Sequence, residues 1–276
     1  MENFDLGEMS LKTIAIRVKN RDLLIHFYRD IIGFHLLREE NELAILGYKE
    51  PYREILWLEE SPRAEEHFGE VKRLARISLV VPNEEELANV YARIKKNDYE
   101  VKSALASGEE KGLLVEDPEG NQVEIFYAPS KERSTAEIIQ VDFEKLLKKA
   151  TNKEKIHEAY FDKVHLNVNN LSQQEKFLEE VLGLKTQTET DKVVALNRGD
   201  FNVGLSEVEG GVIDLPTDKV LGLDFLQFKI SQENLVALIA NLEKEKREFF
   251  ADKKQTLVTI YDPIGIEWWF VTSWKL

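Results

Sequence analysis

Alternation of apolar and polar positions marks four short runs along the chain. Ile14, Ile16 and Val18 oppose Thr13, Ala15 and Arg17; Ile77, Leu79 and Val81 oppose Arg76, Ser78 and Val80. Val164, Leu166 and Val168 oppose Lys163, His165 and Asn167; Leu226, Phe228 and Ile230 oppose Phe225, Gln227 and Lys229. A period of two is that of a β-strand, whose successive side chains leave on opposite faces. Each run leads into a helix-forming stretch. Asn20, Asn83 and Ser231 stand where N-caps belong, and Ser172 with Glu175 makes a capping-box pattern. Gly33 and Gly183 stand where a helix is closed by glycine.

These stretches repeat. VKNRDLLIHFYRDIIGF (18–34) lies over VNNLSQQEKFLEEVLGL (168–184) without a gap, so that Val18 meets Val168, Phe27 meets Phe177 and Gly33 meets Gly183. ARISLVVPNEEELANVYARIKK resembles FLQFKISQENLVALIANLEKE with about one residue of slippage. Asp-Pro-x-Gly recurs before an aromatic, β-rich run, in VEDPEGNQVEIFY and in IYDPIGIEWWFV. Four units of strand, helix and about three strands follow, two in residues 9–128 and two in 160–276. The charged, partly helix-forming stretch 129–159 connects them. The predicted class is α+β: two tandem domains, each of two paired βαβββ units forming a concave mixed sheet. The turn occurs twice because each domain ends in the same way.

Composition narrows the function. With 43% hydrophobic and 32% charged residues, the 276-residue chain has apolar content for folded domains and none of the bias of a disordered segment. A formal charge of −14 argues against nucleic-acid and anionic membrane partners and makes a cationic guest the easier one. There is no cysteine, which removes disulfides, thiolate metal sites and a cysteine nucleophile. The start, MENFDLGEMSLK, has no basic segment followed by a long apolar one, so a cytoplasmic protein is expected, as monomer or homodimer.

The paired units, with HFYRDIIGF and HLLRE in the first and VEDPEGNQVEIFY in the second, resemble the vicinal-oxygen-chelate superfamily of glyoxalase I, extradiol dioxygenases and bleomycin and fosfomycin resistance proteins. Within it, two domains with LWLEESPRAEE after the third strand look like the CppA-type proteins, which are described as complement-degrading proteinases. The resemblance implies metal ligands from the first and last strands of each unit. The matching positions are Thr13, Arg76, Lys163 and Phe225, then Trp57, Glu124, Gly204 and Trp269. Only Glu124 is of ligand type, and a divalent ion needs several converging donors. No cofactor is therefore expected. His165 and Glu267, each two residues from an expected position on the same face, are the residues a displaced divalent metal would use.

The expectation is a small-molecule ligand in concave clefts, lined by Arg76, Glu124 and Trp57 in one domain and by Lys163, His165, Glu267 and Trp269 in the other. The alternatives are a metal-dependent lyase or dioxygenase using His165 and Glu267, and an interaction or proteinase role as the resemblance implies. Parity places Trp268 in the core with Ile266 and Phe270, and Trp274 remains a further stacking candidate. No H-E-x-x-H helix, G-x-S-x-G elbow or D-[ST]-G pair is present, although a serine–histidine pair is recognised by geometry and not by motif. The charged runs at 84–87 and 243–248 read as solvated helix faces; His26 and His35 flank the end of the first helix as surface or packing residues, and His67 and His157 lie in polar stretches with no motif around them.

Overall fold

A computed structural model describes residues 4–66, 69–130, 134–187, 193–195 and 201–272; Trp274 and His67 lie outside them. The first unit runs β1 (Met9–Val18), α1 (Arg21–His26), β2 (His35–Glu40), β3 (Leu43–Lys49) and β4 (Tyr52–Glu60). The second runs β5 (Leu74–Val80), α2 (Glu84–Lys96), β6 (Ser103–Ser107), β7 (Glu110–Glu116) and β8 (Gln122–Tyr127). The connector holds β9 (Ile138–Gln140) and α3 (Phe143–Leu147). The third unit runs β10 (Tyr160–Val168), α4 (Leu171–Lys176), β11 (Lys185–Gln187), β12 (Val193–Ala195) and β13 (Asn202–Glu207). The fourth runs β14 (Gly222–Ile230), α5 (Gln232–Lys244), β15 (Phe250–Ala251), β16 (Leu257–Tyr261) and β17 (Glu267–Val271). The βαβββ order therefore occurs four times. No described helix is long and apolar enough to cross a membrane.

Contacts divide the chain into a C-terminal unit of residues 1–17, 61–75 and 163–276 and an N-terminal unit of 18–60 and 76–162. In this division the first strand and the segment 61–75 group with the third and fourth repeats, and the connector 129–159 groups with the N-terminal unit. The reason is strand pairing: β1 lies antiparallel to β14 from Met9 opposite Ile230 to Arg17 opposite Gly222. In the C-terminal unit the strands run β15-β16-β17-β14-β1 and β11-β12-β13-β10; in the N-terminal unit they run β4-β3-β2 and β5-β8-β7-β6-β9.

Local chemistry sets the helix ends. Asn20, Asn83 and Ser231 accept from the backbone N–H of Leu23, Glu86 and Asn234 at 3.1, 2.8 and 3.0 Å. In the third unit the helix starts two residues earlier than the capping-box pattern implies, because Asn170 accepts from Gln173 N–H at 2.8 Å and Ser172 lies inside the helix. Both α1 and α4 widen into a π-turn at the same place in the repeat, over Phe27–Ile32 and Phe177–Val181. Gly33 then closes the first with φ +107°, a conformation that other residues rarely adopt.

The acidic run at 84–87 is not a solvated face. Glu84 pairs with Lys111 at 2.9 Å and with Lys149, Glu85 pairs with Lys153 at 2.8 Å, and Glu86 is buried. The connector crosses the start of α2, and its lysines neutralise the glutamates there. Arg93, on the same helix, donates to the carbonyls of Ile31, Ile32 and Lys153, tying the end of the first helical segment to the connector. Burial pushes its pKa down to about 10.

Candidate functional site

Register, and not sequence spacing, decides which side chains face one another. β5 and β8 run parallel with Ser78 level with Glu124. β10 and β13 run parallel with His165 level with Gly204, and β14 and β17 with Gln227 level with Trp269. Level residues on neighbouring strands share a face at strand spacing, roughly 4.8 Å. These three parallel pairs occupy equivalent places in the repeat, each with its own chemistry.

At the first pair, Ser78 Oγ–H donates to Glu124 Oε2 at 2.6 Å. Arg76 Nε stands 3.7 Å from the same carboxylate, an ion pair too long for a hydrogen bond, with both side chains about a third exposed. Trp57 lies on β4, where its indole N–H donates to Glu54 at 3.2 Å and Tyr52 O–H donates to the other oxygen at 2.8 Å. A bulge places Glu54 on the face of Trp57: Leu46 is opposite Leu56 but Gly47 is opposite Glu54. A side chain at Gly47 would run into the carbonyl of Arg53, so the bulge requires glycine.

At the second pair, the strand keeps the alternation seen in the sequence, with Val164, Leu166 and Val168 buried and Lys163, His165 and Asn167 half-buried. His165 Nε2 lies 2.7 Å from Ser206 Oγ. Its ring sits over Gly204, where an added Cβ would come within 2.5 Å of Nδ1, so only glycine leaves room for it. Lys163 stands level with Asn202. Glu267 belongs to β17, in the other strand array of this unit, level with Phe225. Among the described residues no three His, Cys, Asp or Glu side chains converge.

The third pair differs. Gln227 has Trp269 beside it on β17 and Thr13 opposite it on β1. Thr13 is 0% exposed and Gln227 1%. Thr13 Oγ1, Gln227 Oε1 and Trp269 Nε1 are buried and make no hydrogen bond. Three polar atoms in one row across three strands are left without partners, at a typical cost of about 1–3 kcal/mol each. Phe225 covers one side of Trp269, its ring stacked at 4.4 Å and 12°. On the opposite face Ile266, Trp268 and Phe270 are wholly buried, as parity places them. At the rim of the face, Arg17 is held by Asp224 at 2.9 Å, by Ser61 Oγ at 2.7 Å and by the carbonyl of Thr217 at 2.9 Å.

Both Asp-Pro-x-Gly turns are structural. Asp117 accepts from the N–H groups of Glu119 and Asn121, from Asn121 Nδ2 and from Tyr28 O–H, between 2.9 and 3.1 Å. Asp262 accepts from the N–H groups of Ile264 and Ile266, from Gln174 Nε2 and from Trp268 Nε1, between 2.8 and 3.2 Å. Burial raises the Asp262 pKa, and those donors pull against it. The segment Ser61–Glu66 of LWLEESPRAEE, in turn, runs beside 213–220, with Glu65 bridged to Val220. The two border a cavity of about 870 Å³ whose lining includes Glu65, Glu66, Glu70, Asp214 and Asp218.

Residues 10–125 match the Glyoxalase/Bleomycin resistance protein/Dioxygenase superfamily. Residues 156–270 match the family described as CppA C-terminal. The first half of the chain thus carries a domain of the glyoxalase/bleomycin resistance/dioxygenase superfamily, and the second half a domain of the CppA C-terminal type. The same fold is found in the crystal structure of the CppA protein from Streptococcus pneumoniae, with 18% identity, 99% of this chain and 100% of that chain covered, and a TM-score of 0.68. Glyoxalase I from Zea mays aligns over 96% of this chain and 92% of its own, with 15% identity and a TM-score of 0.58. No curated protein sequence matches the chain. Within this superfamily fold, Arg76 and Glu124 are together, Trp57 is engaged by Glu54, and His165 meets Ser206. Thr13, Gln227 and Ser206 carry features that sequence reasoning passed over. The first two were visible on the mixed faces of their strands, but only register aligns them with Trp269.

Proposed function

We propose that this CppA-like protein binds a small organic molecule on the β1–β14–β17 face of the C-terminal unit, without a metal. The observation that carries the reading is the row of unpartnered buried polar atoms on Thr13, Gln227 and Trp269. A satisfied core has no use for such a row, whereas a binding face does. The donor set also suits an organic guest better than an ion: an indole N–H cannot ligate, and a hydroxyl and an amide alone make a poor shell for a divalent cation. The other two parallel pairs offer no better set. Glu124 is already held by Ser78 and faces Arg76, and His165 is the one imidazole beside Ser206, Gly204 and Lys163.

The test is a thermal-shift screen of neutral, cationic and anionic small molecules, repeated after equilibration with manganese, nickel and zinc. A guest at a hundredfold excess over its Kd raises stability by about 2.7 kcal/mol. A neutral molecule that stabilises the wild type but not Gln227→Leu meets the expectation. Stabilisation by one metal ion per chain, lost in His165→Ala, overturns it.

A second reading has one observation in its favour. His165 Nε2 at 2.7 Å from Ser206 Oγ is the contact of a base with a hydroxyl nucleophile. It predicts covalent labelling of Ser206 by a fluorophosphonate, abolished in His165→Ala; an unlabelled protein removes it.

A further inference from the structure

We propose that the cavity between residues 61–66 and 213–219 of the C-terminal unit takes an aliphatic oligoamine, a flexible guest with two or more ammonium groups on a methylene stem. This does not rest on the binding reading above, because the cavity has its own lining, which includes none of Thr13, Gln227 and Trp269. There is space for a guest: about 870 Å³ lies within the range of small-molecule sites, roughly 300–1,000 Å³. The two walls are fixed to each other at both ends. At one end Glu65 N–H donates to the carbonyl of Lys219 at 2.7 Å, and Leu221 N–H to the carbonyl of Glu65 at 3.1 Å. At the other, Val71 is bridged to Val212. Arg17 adds a third tie, through Ser61 Oγ and the carbonyl of Thr217. The space between the walls is therefore formed before a guest arrives, and little ordering is left to oppose binding.

Charge and its placement choose the class. Glu65, Glu66, Glu70, Asp214 and Asp218 line the cavity against two cations, Arg63 and Lys219, and Lys219 is already paired with Asp218 at 3.3 Å. Glu65 and Asp214 are exposed, so a guest reaches them from solvent. A divalent metal would need several of these oxygens around one point, yet among the described residues no three acidic or histidine side chains converge. Carboxylates spread along both walls suit a cation whose charges are spread as well. An ammonium group only donates and a carboxylate only accepts, so each such contact is complementary. The methylene stem has apolar surface to lie on at Ile213 and Leu215. These two residues are held from behind by the buried Arg73, whose Nη2 donates to both of their carbonyls. The Arg73 charge is offset first by Asp262 and then by Asp214, and so does not cancel the acidic lining.

The test is calorimetric titration of the full chain, at about 0.15 M salt, with butylamine, diaminobutane and spermidine, which carry one, two and three amino groups, and with magnesium chloride. One site per chain is expected, with affinity rising about threefold for each added ammonium group. Glu65→Gln and Asp214→Asn should each weaken spermidine about threefold, and the double variant about tenfold. Both side chains are exposed, and an unchanged melting temperature verifies that the fold is kept. Glu243→Gln removes the same charge from an exposed position on α5, outside the cavity, and should leave the affinity for spermidine as in the wild type. An equal loss in Glu243→Gln would mean that spermidine answers only to the overall charge of −14, and it overturns the proposal. Cavity variants that bind as the wild type does, equal affinity for butylamine and spermidine, one magnesium ion bound as tightly as spermidine, or no saturable binding overturn it as well.

Discussion

The second and fourth repeats close with the same device, and they use it differently. Each has a parallel pair of first and last strands, and each last strand follows an Asp-Pro-x-Gly turn. At the β5–β8 pair Ser78 bonds to Glu124, while Arg76 stands by the carboxylate with its Nε making no hydrogen bond, so the hydroxyl and the carboxylate satisfy one another. At the equivalent β14–β17 pair Gln227 and Trp269 stand level and do not bond. The comparison shows where a duplicated scaffold has kept an open demand for a partner. A hydroxyl and a carboxylate are complementary and close on themselves. An amide carbonyl and an indole N–H are complementary too, yet both atoms remain open here, and the bulk of the Trp269 ring is taken up in its stack with Phe225.

The largest expected effect tests the part the two repeats share. Asp117→Ala and Asp262→Ala each strand four donor bonds in a buried turn and should cost ~3 kcal/mol or more, read as a lower midpoint in urea unfolding. Equal losses would mark the turns as interchangeable supports, and a loss at one alone would break the comparison.

Acidity gives a further handle on the second turn. The Asp262 pKa is raised in the folded protein, chiefly by burial. Its contribution to stability is therefore full below the ordinary carboxylate pKa and is lost as pH rises through the folded value. Asp30 and Glu84, whose pKa values are lowered, the first chiefly by Arg29 and the second by Lys149 and Lys111 against burial, act in the opposite direction. The diagnostic quantity is the difference between wild type and Asp262→Asn: unfolding free energies measured from pH 4 upward should show the wild type losing stability relative to the variant.

The sharpest contrast is of sign. Ser78→Ala leaves Glu124 without its hydroxyl and should destabilise by about 1–2 kcal/mol. Gln227→Leu removes an atom with no partner and should leave the ligand-free protein unchanged or more stable by about 1 kcal/mol. A clear loss on Gln227→Leu would mean that bound water already completes the row. The smallest effect belongs to Arg76→Met: an ion pair at 3.7 Å whose side chains are about a third exposed should contribute no more than about 0.5 kcal/mol, and that should fade in high salt.

Periodicity and turn chemistry made much of this fold legible. The alternation of β10, the caps at Asn20, Asn83 and Ser231, the closing glycine at Gly33 and the buried set Ile266, Trp268 and Phe270 are local properties, set by the backbone's own geometry and readable from neighbours in the chain. The repeat at 18–34 and 168–184, and with it the superfamily, follows from the same local signals. What the sequence left open is non-local. Nothing in the order of the chain says that β1 pairs with β14, or that the connector lies over Glu84, Glu85 and Glu86, because both depend on packing between segments far apart in sequence. The site belongs to that second class. Thr13, Gln227 and Trp269 are separated by more than two hundred residues from first to last, and each alone looks like an ordinary strand residue. Strand register puts them in one row, and burial turns that row into a demand for a partner.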